Sequence, residues 1–381
     1  MFIRLVKAKF LRQCLPINVD ETKESPLPIY GNLEDPFNPD ACEQETNSEP
    51  PAKKRKSGSG SSDSLTHRPA LWKVNHETFR LKIRDQLIIK MVRNLYDDNA
   101  ALVMKMLLSF SESRSDARLP HSTMLYSNDV YKFLLDQNDT ETSFKKSLFD
   151  QYLALLVDDT RRFLLKNGES GGGAYQIDFM TCLKCMAQAL IETTIKEKIG
   201  IWGLRFFRLL IDKHYLEQSD IETQALLPSK EAREILYALL TENFITMKEV
   251  CKTGDFAPSR SYYLFHVNFN RVVRHSLQTA YKAMYNLTVR RQKEIEDNRQ
   301  LIEDEQKVAA LIARIQEDER LDKATKEIQV QEVEQGYMPP AKKQQVERFK
   351  KNFTKIVQAE TQLDITLFVF RNYLSYTIDV L

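Results

Sequence analysis

The chain has 381 residues, 42% hydrophobic and 28% charged, with 55 Lys and Arg against 53 Asp and Glu and a formal net charge of +2. That length fits two or three domains with real cores, and no apolar stretch approaches the roughly 20 residues that cross a bilayer. Five cysteines, an odd and sparse set, point to reduced thiols of cytosol or nucleus, 11 glycines disfavour a phosphate-turn enzyme fold, and a balanced charge leaves nucleic acid open because charge can be segregated along the chain.

Residues 2–15 read as a helix end and a short strand, too little to bury a core alone, and so as the remnant of a preceding domain. Lys7, Lys9 and Arg12 interrupt the apolar start too early for a signal-peptide core. Residues 16–70 are rich in Pro, Ser, Asp, Glu and Asn without a period of 2 or 3.6, which predicts a disordered linker. Inside it Lys53, Lys54, Arg55 and Lys56 precede a Ser/Gly run. Such a basic run is readable by a nuclear import receptor, or is simply a solvated charge run.

Helical periodicity begins after Leu71, through Phe79, Ile83, Leu87, Ile88, Met91 and Leu95, and continues after Asp97-Asp98 with Leu102, Met106, Leu107 and Phe110. Two short helices follow, one around Val130, Phe133 and Leu134, the other along Phe144, Leu148, Tyr152, Leu155 and Leu156. Arg162–Lys166, a Gly-rich loop at Asn167–Gly173, and Ala174–Phe179 then spell a β-hairpin. The order recurs: helices over 179–196, from Ile201 to Leu210, near 218–226 and from Ser229, then a hairpin of Phe244–Val250 and Ser261–Val267. Ala154-Leu155-Leu156 returns as Ala238-Leu239-Leu240. Helices closed by a hairpin are the winged-helix order.

The remainder is helical. Val346, Phe349, Phe353, Ile356, Glu360, Leu363, Leu367, Phe370 and Leu374 step by threes and fours in an a/d seam, matched more weakly by Ile295, Asn298, Leu301, Glu305, Val308, Ile312 and Ile315. Gly336, Pro339 and Pro340 interrupt the two, so the pattern predicts an antiparallel coiled-coil hairpin; one straight dimerising helix is the alternative. The fold class is therefore mainly α with small β-hairpins (α+β). The segments are 1–15 as a winged-helix remnant, 16–70 as linker, 71–179 and 180–268 as extended winged helices, and 269–381 as the hairpin.

Little here promises bond-making chemistry. Gly168-Glu169-Ser170-Gly171-Gly172 fits the hydrolase elbow G-x-S-x-G, but that elbow needs a helix after it and a strand follows. Cys182-Leu183-Lys184-Cys185 lacks a second ligand pair for zinc and the preceding strand of a thioredoxin motif, and reads as core. His266 and His275 find no carboxylate or Ser to complete a triad, and Asp297, Glu303, Asp304 and Glu305 read as solvating charges or i,i+4 pairs. No cofactor or metal is expected. Candidate nucleic-acid contacts are Lys145 and Lys146 at a third-helix start, Arg161, Arg162 and Lys166 around the first wing, and Arg260 in the second. Lys342, Lys343, Arg348, Lys350, Lys351 and Lys355 crowd the last helix. A solvated or protein-binding face is the alternative for each.

Three separated segments carry a resemblance: Asp150–Leu156, the wing Gly168–Tyr175, and Ala257–Leu264. In this order they resemble the third C-type subunit of eukaryotic DNA-directed RNA polymerase III, and Phe2–Pro16 is similar to the end of that family's second winged helix, with Leu15 intervening before the proline. The resemblance implies four extended winged helices around a coiled coil, of which the first and most of the second are missing here. It implies a non-catalytic subunit in the nucleus, in a heterotrimer with two smaller subunits. That heterotrimer sits on the clamp of the largest subunit and supports promoter opening for small RNAs such as tRNA and 5S rRNA. DNA is an expected neighbour and a membrane is not. A free-standing winged-helix DNA-binding regulator is the second reading and a Ser170 hydrolase the third.

Overall fold

The structure, a computed structural model, describes residues 2–14, 71–112, 119–137, 145–251, 261–317 and 323–378. The linker with Lys53, Lys54, Arg55 and Lys56, and Arg260 with most of the second wing loop, lie outside the described residues. The chain divides into two compact units, residues 1–157 with 166–176, and residues 158–165 with 177–381.

The first unit opens with α1 (Phe2–Lys7) and β1 (Leu11–Cys14). β1 pairs antiparallel with β2 (Leu71–Val74), from Leu11 opposite Val74 to Cys14 opposite Leu71. The predicted remnant and the start of the next segment thus make one ribbon. Phe2 meets Trp72 edge-on at 5.3 Å and Phe10 packs on Phe79 at 4.7 Å. At the base Asn75 Nδ2 donates to the Lys9 carbonyl at 3.1 Å, as does Thr78 Oγ1 at 3.1 Å. The helix expected from Leu71 therefore begins later, as α2 (His76–Leu95).

α3 (Asp98–Glu112) starts where Asp97 Oδ1 accepts the Ala100 N–H at 2.8 Å, an N-terminal cap of the usual kind. Then come β3 (Leu125–Tyr126), α4 (Ser127–Gln137), α5 (Lys146–Asp158), β4 (Leu164–Gly168) and β5 (Ala174–Ile177), with sheet order β3-β5-β4. The second unit repeats the series as α7 (Ile201–Lys213), β6 (Tyr215–Glu217), α8 (Gln218–Ala225), α9 (Ser229–Thr241), β7 (Thr246–Cys251) and β8 (Ser261–His266), with order β6-β8-β7. Helix, strand, two helices and a two-stranded wing is the winged-helix topology, twice. α7 buries Phe206, Phe207 and Leu210 and α9 buries Ala232, Leu236 and Leu239.

Each wing feeds a long helix through an amide or carboxylate: Asn75 before α2, Asp178 before α6 (Phe179–Lys198), and Asn268 before α10 (Phe269–Asp297). Asp178 accepts the Thr181 N–H at 3.0 Å and Asn268 the Arg271 N–H at 3.2 Å. These two side chains satisfy orphan helix donors where the strand ends, whereas the Asn75 side chain makes no such cap bond to α2.

Among the described residues the segment expected as a two-helix hairpin holds four helices: α10, α11 (Arg299–Glu317), α12 (Lys323–Tyr337) and α13 (Pro340–Ile378). The first arm breaks at Asn298, whose Nδ2 donates back to the Glu294 carbonyl at 2.9 Å and ends α10. α12 packs against α11, and Val333 and Met338 join Leu301, Val308, Ile312 and Val346 in one cluster. α13 runs antiparallel to α10: Tyr373 bonds Asn270 at 2.7 Å and Arg291 bonds Glu360 at 2.9 Å. Of the predicted seam, Val346, Ile356, Leu367, Phe370 and Leu374 are buried and Phe349, Phe353 and Leu363 half-buried. Towards its end α13 is also buried at Val369, Asn372, Tyr373, Tyr376 and Thr377, wider than one a/d stripe, because α6 packs on it as well as α10.

Candidate docking and nucleic-acid surfaces

The third helix of a winged helix is the element that enters a DNA groove. In the first module this is α5. It buries Phe149, Leu153 and Leu156, and leaves Leu148 36% and Leu155 43% exposed. Of the stripe read from sequence, Leu148 and Leu155 therefore lie on the outer side, Tyr152 is half-buried, Leu156 is buried, and Phe144 lies outside the described residues. Between those leucines Tyr152 donates its hydroxyl to Asp97 at 2.6 Å, which raises the phenol's pKa. On α2 the predicted stripe is split. Ile88 is buried, with Thr78, Arg84 and Val92 beside it, and Leu87 and Met91 are half-buried, whereas Phe79, Ile83 and Leu95 are exposed. An outer face carrying leucines and phenylalanine suits protein better than phosphate.

The candidate cations are partly committed inside the module. Lys146 Nζ donates to Asn128 Oδ1 at 2.7 Å, tying α5 to α4. Lys166 pairs with Glu169 at 2.7 Å within the wing. Lys145, Arg161 and Arg162 are exposed. On α9 the exposed positions include Lys230, Glu231, Arg233 and Glu234, two charges of each sign, with Tyr237 between the turns. Such a face offers no net attraction to a phosphate backbone. At the start of α13, Lys342 pairs with Asp304 at 3.0 Å and Lys350 with Glu305, so two acids of α11 reach across to α13, while Glu303 pairs with Arg299 along its own helix as expected.

The wing turn places Ser170 exposed in a 3-10 turn that exits into β5. Gly171, Gly172 and Gly173 all have positive φ. A Cβ at Gly173 would stand 2.7 Å from the Tyr175 ring, so the glycine lets the loop close on the module. With no helix after it, the turn lacks the architecture of a nucleophile elbow. Cys182 is buried in α6 and Cys185 half-buried, and burial pushes the Cys185 thiol up, away from reactive thiolate. Among the described residues no group of three or more His, Cys, Asp or Glu is arranged to hold a metal.

A polar cleft of about 410 Å³ lies in the second unit, lined by Lys184, Tyr215, His266, Asn268, Asn270 and Tyr373 among others. Thr246 Oγ1 is 3.0 Å from His266 Nε2, and Tyr215 lies 5.1 Å from the imidazole, centroid to centroid. Burial first, and then the Lys248 charge, hold His266 below its ordinary pKa. His266, expected as a structural or surface histidine, lines this cleft; its β8 neighbours carry no signal of it because Lys184 and Tyr373 come from distant helices.

Comparison with known proteins places these surfaces in context. A family model described as RNA polymerase III subunit RPC82 matches residues 1–186, and one described as the POLR3C C-terminal winged-helix domain matches residues 191–267. The chain is 32% identical to the human DNA-directed RNA polymerase III subunit RPC3, over 99% of this chain and 72% of the relative. It is 35% identical to the bovine protein of that name over 88% of this chain and 61% of the relative. Against the mouse protein it is 37% identical over 80% of this chain and 56% of the relative. The chain thus spans between 56% and 72% of these relatives' lengths.

Proposed function

Because the chain belongs to the DNA-directed RNA polymerase III subunit RPC3 family, we propose that it acts as a non-catalytic subunit of that polymerase. It works in the nucleus, in the heterotrimer that supports promoter opening and transcription of small RNAs. Its partners are two smaller subunits and the clamp of the largest subunit. The observation that carries the reading is the alignment with the human subunit along 99% of this chain.

The mechanism is one of surfaces. Two winged helices present third helices with apolar or charge-balanced outer faces, and a helical tail holds α6, α10 and α13 together. Apolar patches on α2 and α5 supply affinity and rim charges supply orientation. DNA is held near by the cationic edges at Lys145, Arg161 and Arg162. A free-standing DNA-binding regulator is not favoured, since the outer face of α9 sets Glu231 and Glu234 against Lys230 and Arg233 and so has no net attraction to the phosphate backbone. A Ser170 hydrolase lacks its elbow.

Coprecipitation tests the proposal. The purified full chain is expected to bring down the two smaller subunits of the heterotrimer. Retention of the polymerase core without them contradicts the assignment.

A further inference from the structure

The first 25 residues of α10 carry six cations and no acid: Arg271, Arg274, Lys282, Arg290, Arg291 and Lys293 lie between Phe269 and Lys293, with no Asp or Glu. The helical period sorts this run into two sides. Val272, Val273 and Ala280 are buried, and Arg291 is turned to Glu360 of α13. On the opposite side Arg274, Tyr281, Lys282, Tyr285, Val289 and Lys293 are all exposed, Tyr285 by 70%. Tyr281, Tyr285 and Val289 follow one another at i, i+4 and i+8, an apolar seam about 12 Å long at 1.5 Å per residue. Lys293 continues that line one turn on, Arg274 stands two turns before it, and Lys282 lies beside it. Among the described residues none of these three cations forms an ion pair.

A helix face that merely meets water carries both signs. The next helix does so, with Arg299 paired to Glu303 at 2.9 Å and Lys307 beside Asp304. Two exposed Tyr and a Val in line, with no Asp or Glu between them, instead match the aromatic core of a protein interface, with Lys282 and Lys293 as its charged rim. The seam also argues against a phosphate track, which draws on cations in line; here the line is apolar, includes the ring-free Val289, and the cations bound it. We infer that this face of α10 docks an amphipathic helix of another polymerase subunit, one whose apolar seam is flanked by Asp and Glu, as e and g charges select a partner in a coiled coil. The inference rests on the subunit reading above and adds the chemistry of one partner.

Two measurements decide it. In the first, the full chain is titrated by fluorescence anisotropy with a designed helical peptide of about four heptads bearing a Leu seam and Glu flanks, with the same peptide bearing Lys flanks, and with a random-sequence DNA duplex. The Glu-flanked peptide is expected to bind at least about tenfold more tightly than the Lys-flanked one, and the triple variant Arg274→Glu, Lys282→Glu, Lys293→Glu is expected to invert that order. All three positions are exposed, so the variant keeps its core. Equal binding of the two peptides, or an unchanged order in the variant, overturns the inference. So does duplex binding that the variant abolishes while neither peptide binds. In the second, a photo-crosslinking amino acid replaces Tyr285 in the chain assembled with the polymerase. The expected adduct is an acidic helical segment of another subunit. Co-assembly with crosslinks only to nucleic acid, or to no protein, sinks the docking face and leaves the subunit reading intact. Failure to co-assemble sinks the subunit reading, and the peptide titration still decides the face.

Discussion

Phe370→Ala probes whether the tail is a packed part of the second unit. Phe370 is 3% exposed on α13, in the stretch that α6 and α10 both cover. Deleting its ring removes the transfer term and leaves a cavity, a loss of about 3–5 kcal/mol for a buried Phe. Against a total stability of about 5–15 kcal/mol that is a large fraction. At a urea slope of about 2–3 kcal/mol/M the unfolding midpoint drops by roughly 1–2 M. The chain has two tryptophans, Trp72 in the first unit and Trp202 in the second, so in a Trp72→Phe background the emission of Trp202 reports the second unit alone. Ile365→Ala is the control: Ile365 is on the same helix but 40% exposed, and its truncation is expected to shift the midpoint by less than about 0.5 M. Equal shifts for the two variants would refute the packing of α13 described above.

Other consequences follow from the same contacts. Gly173→Ala forces a Cβ onto the Tyr175 ring at φ 110° and is expected to destabilise the first unit by about 1–3 kcal/mol, read from Trp72 emission, whereas Gly168→Ala stays within about 0.5 kcal/mol. His266 titrates below its ordinary 6.5, so on acidification the unfolded chain takes up this proton first. The stability conferred by the neutral ring, set beside Lys248, Lys184 and Tyr215, is present above pH 6.5 and lost as pH falls through the lowered value; His266→Gln is expected to flatten that slope in urea melts across the range. A double-mutant cycle on Lys350 and Glu305 is expected to return a coupling of about 0.2–1 kcal/mol that disappears in about 1 M salt, because both side chains reach solvent.

The winged-helix order was legible because its markers are local. Gly171, Gly172 and Gly173 announce a turn with positive φ, Asp178 and Asn268 mark helix starts, and a period of 3.6 gives way to strand on either side. What periodicity could not give was direction. On α5, Leu148, Tyr152 and Leu155 and the set Phe149, Leu153 and Leu156 have the same spacing, so the predicted stripe took Leu156 from the buried set and the rest from the outer one. On α2 the predicted stripe ran from exposed Phe79 and Ile83 to buried Ile88, and Val92 was a buried position it left out. The pairing of β1 with β2 was hidden because two four-residue strands flank residues 15–70 and carry no turn signal. The break at Asn298 was hidden because one amide ending a helix costs the sequence neither Gly nor Pro. Asp304 and Glu305 looked like solvating acids until α13 brought Lys342 and Lys350 opposite them.

The central claim, that the chain serves RNA polymerase III through docking surfaces, is tested most directly by depletion and add-back. An extract stripped of its own RPC3 subunit is supplied with the purified full chain, and promoter-dependent and promoter-independent synthesis by RNA polymerase III are measured side by side. The account predicts that the chain is recovered with the polymerase and restores promoter-dependent transcription, while synthesis from a tailed template is the same with or without it. Loss of the chain from the recovered polymerase, or a requirement for it in tailed-template synthesis, would contradict the account.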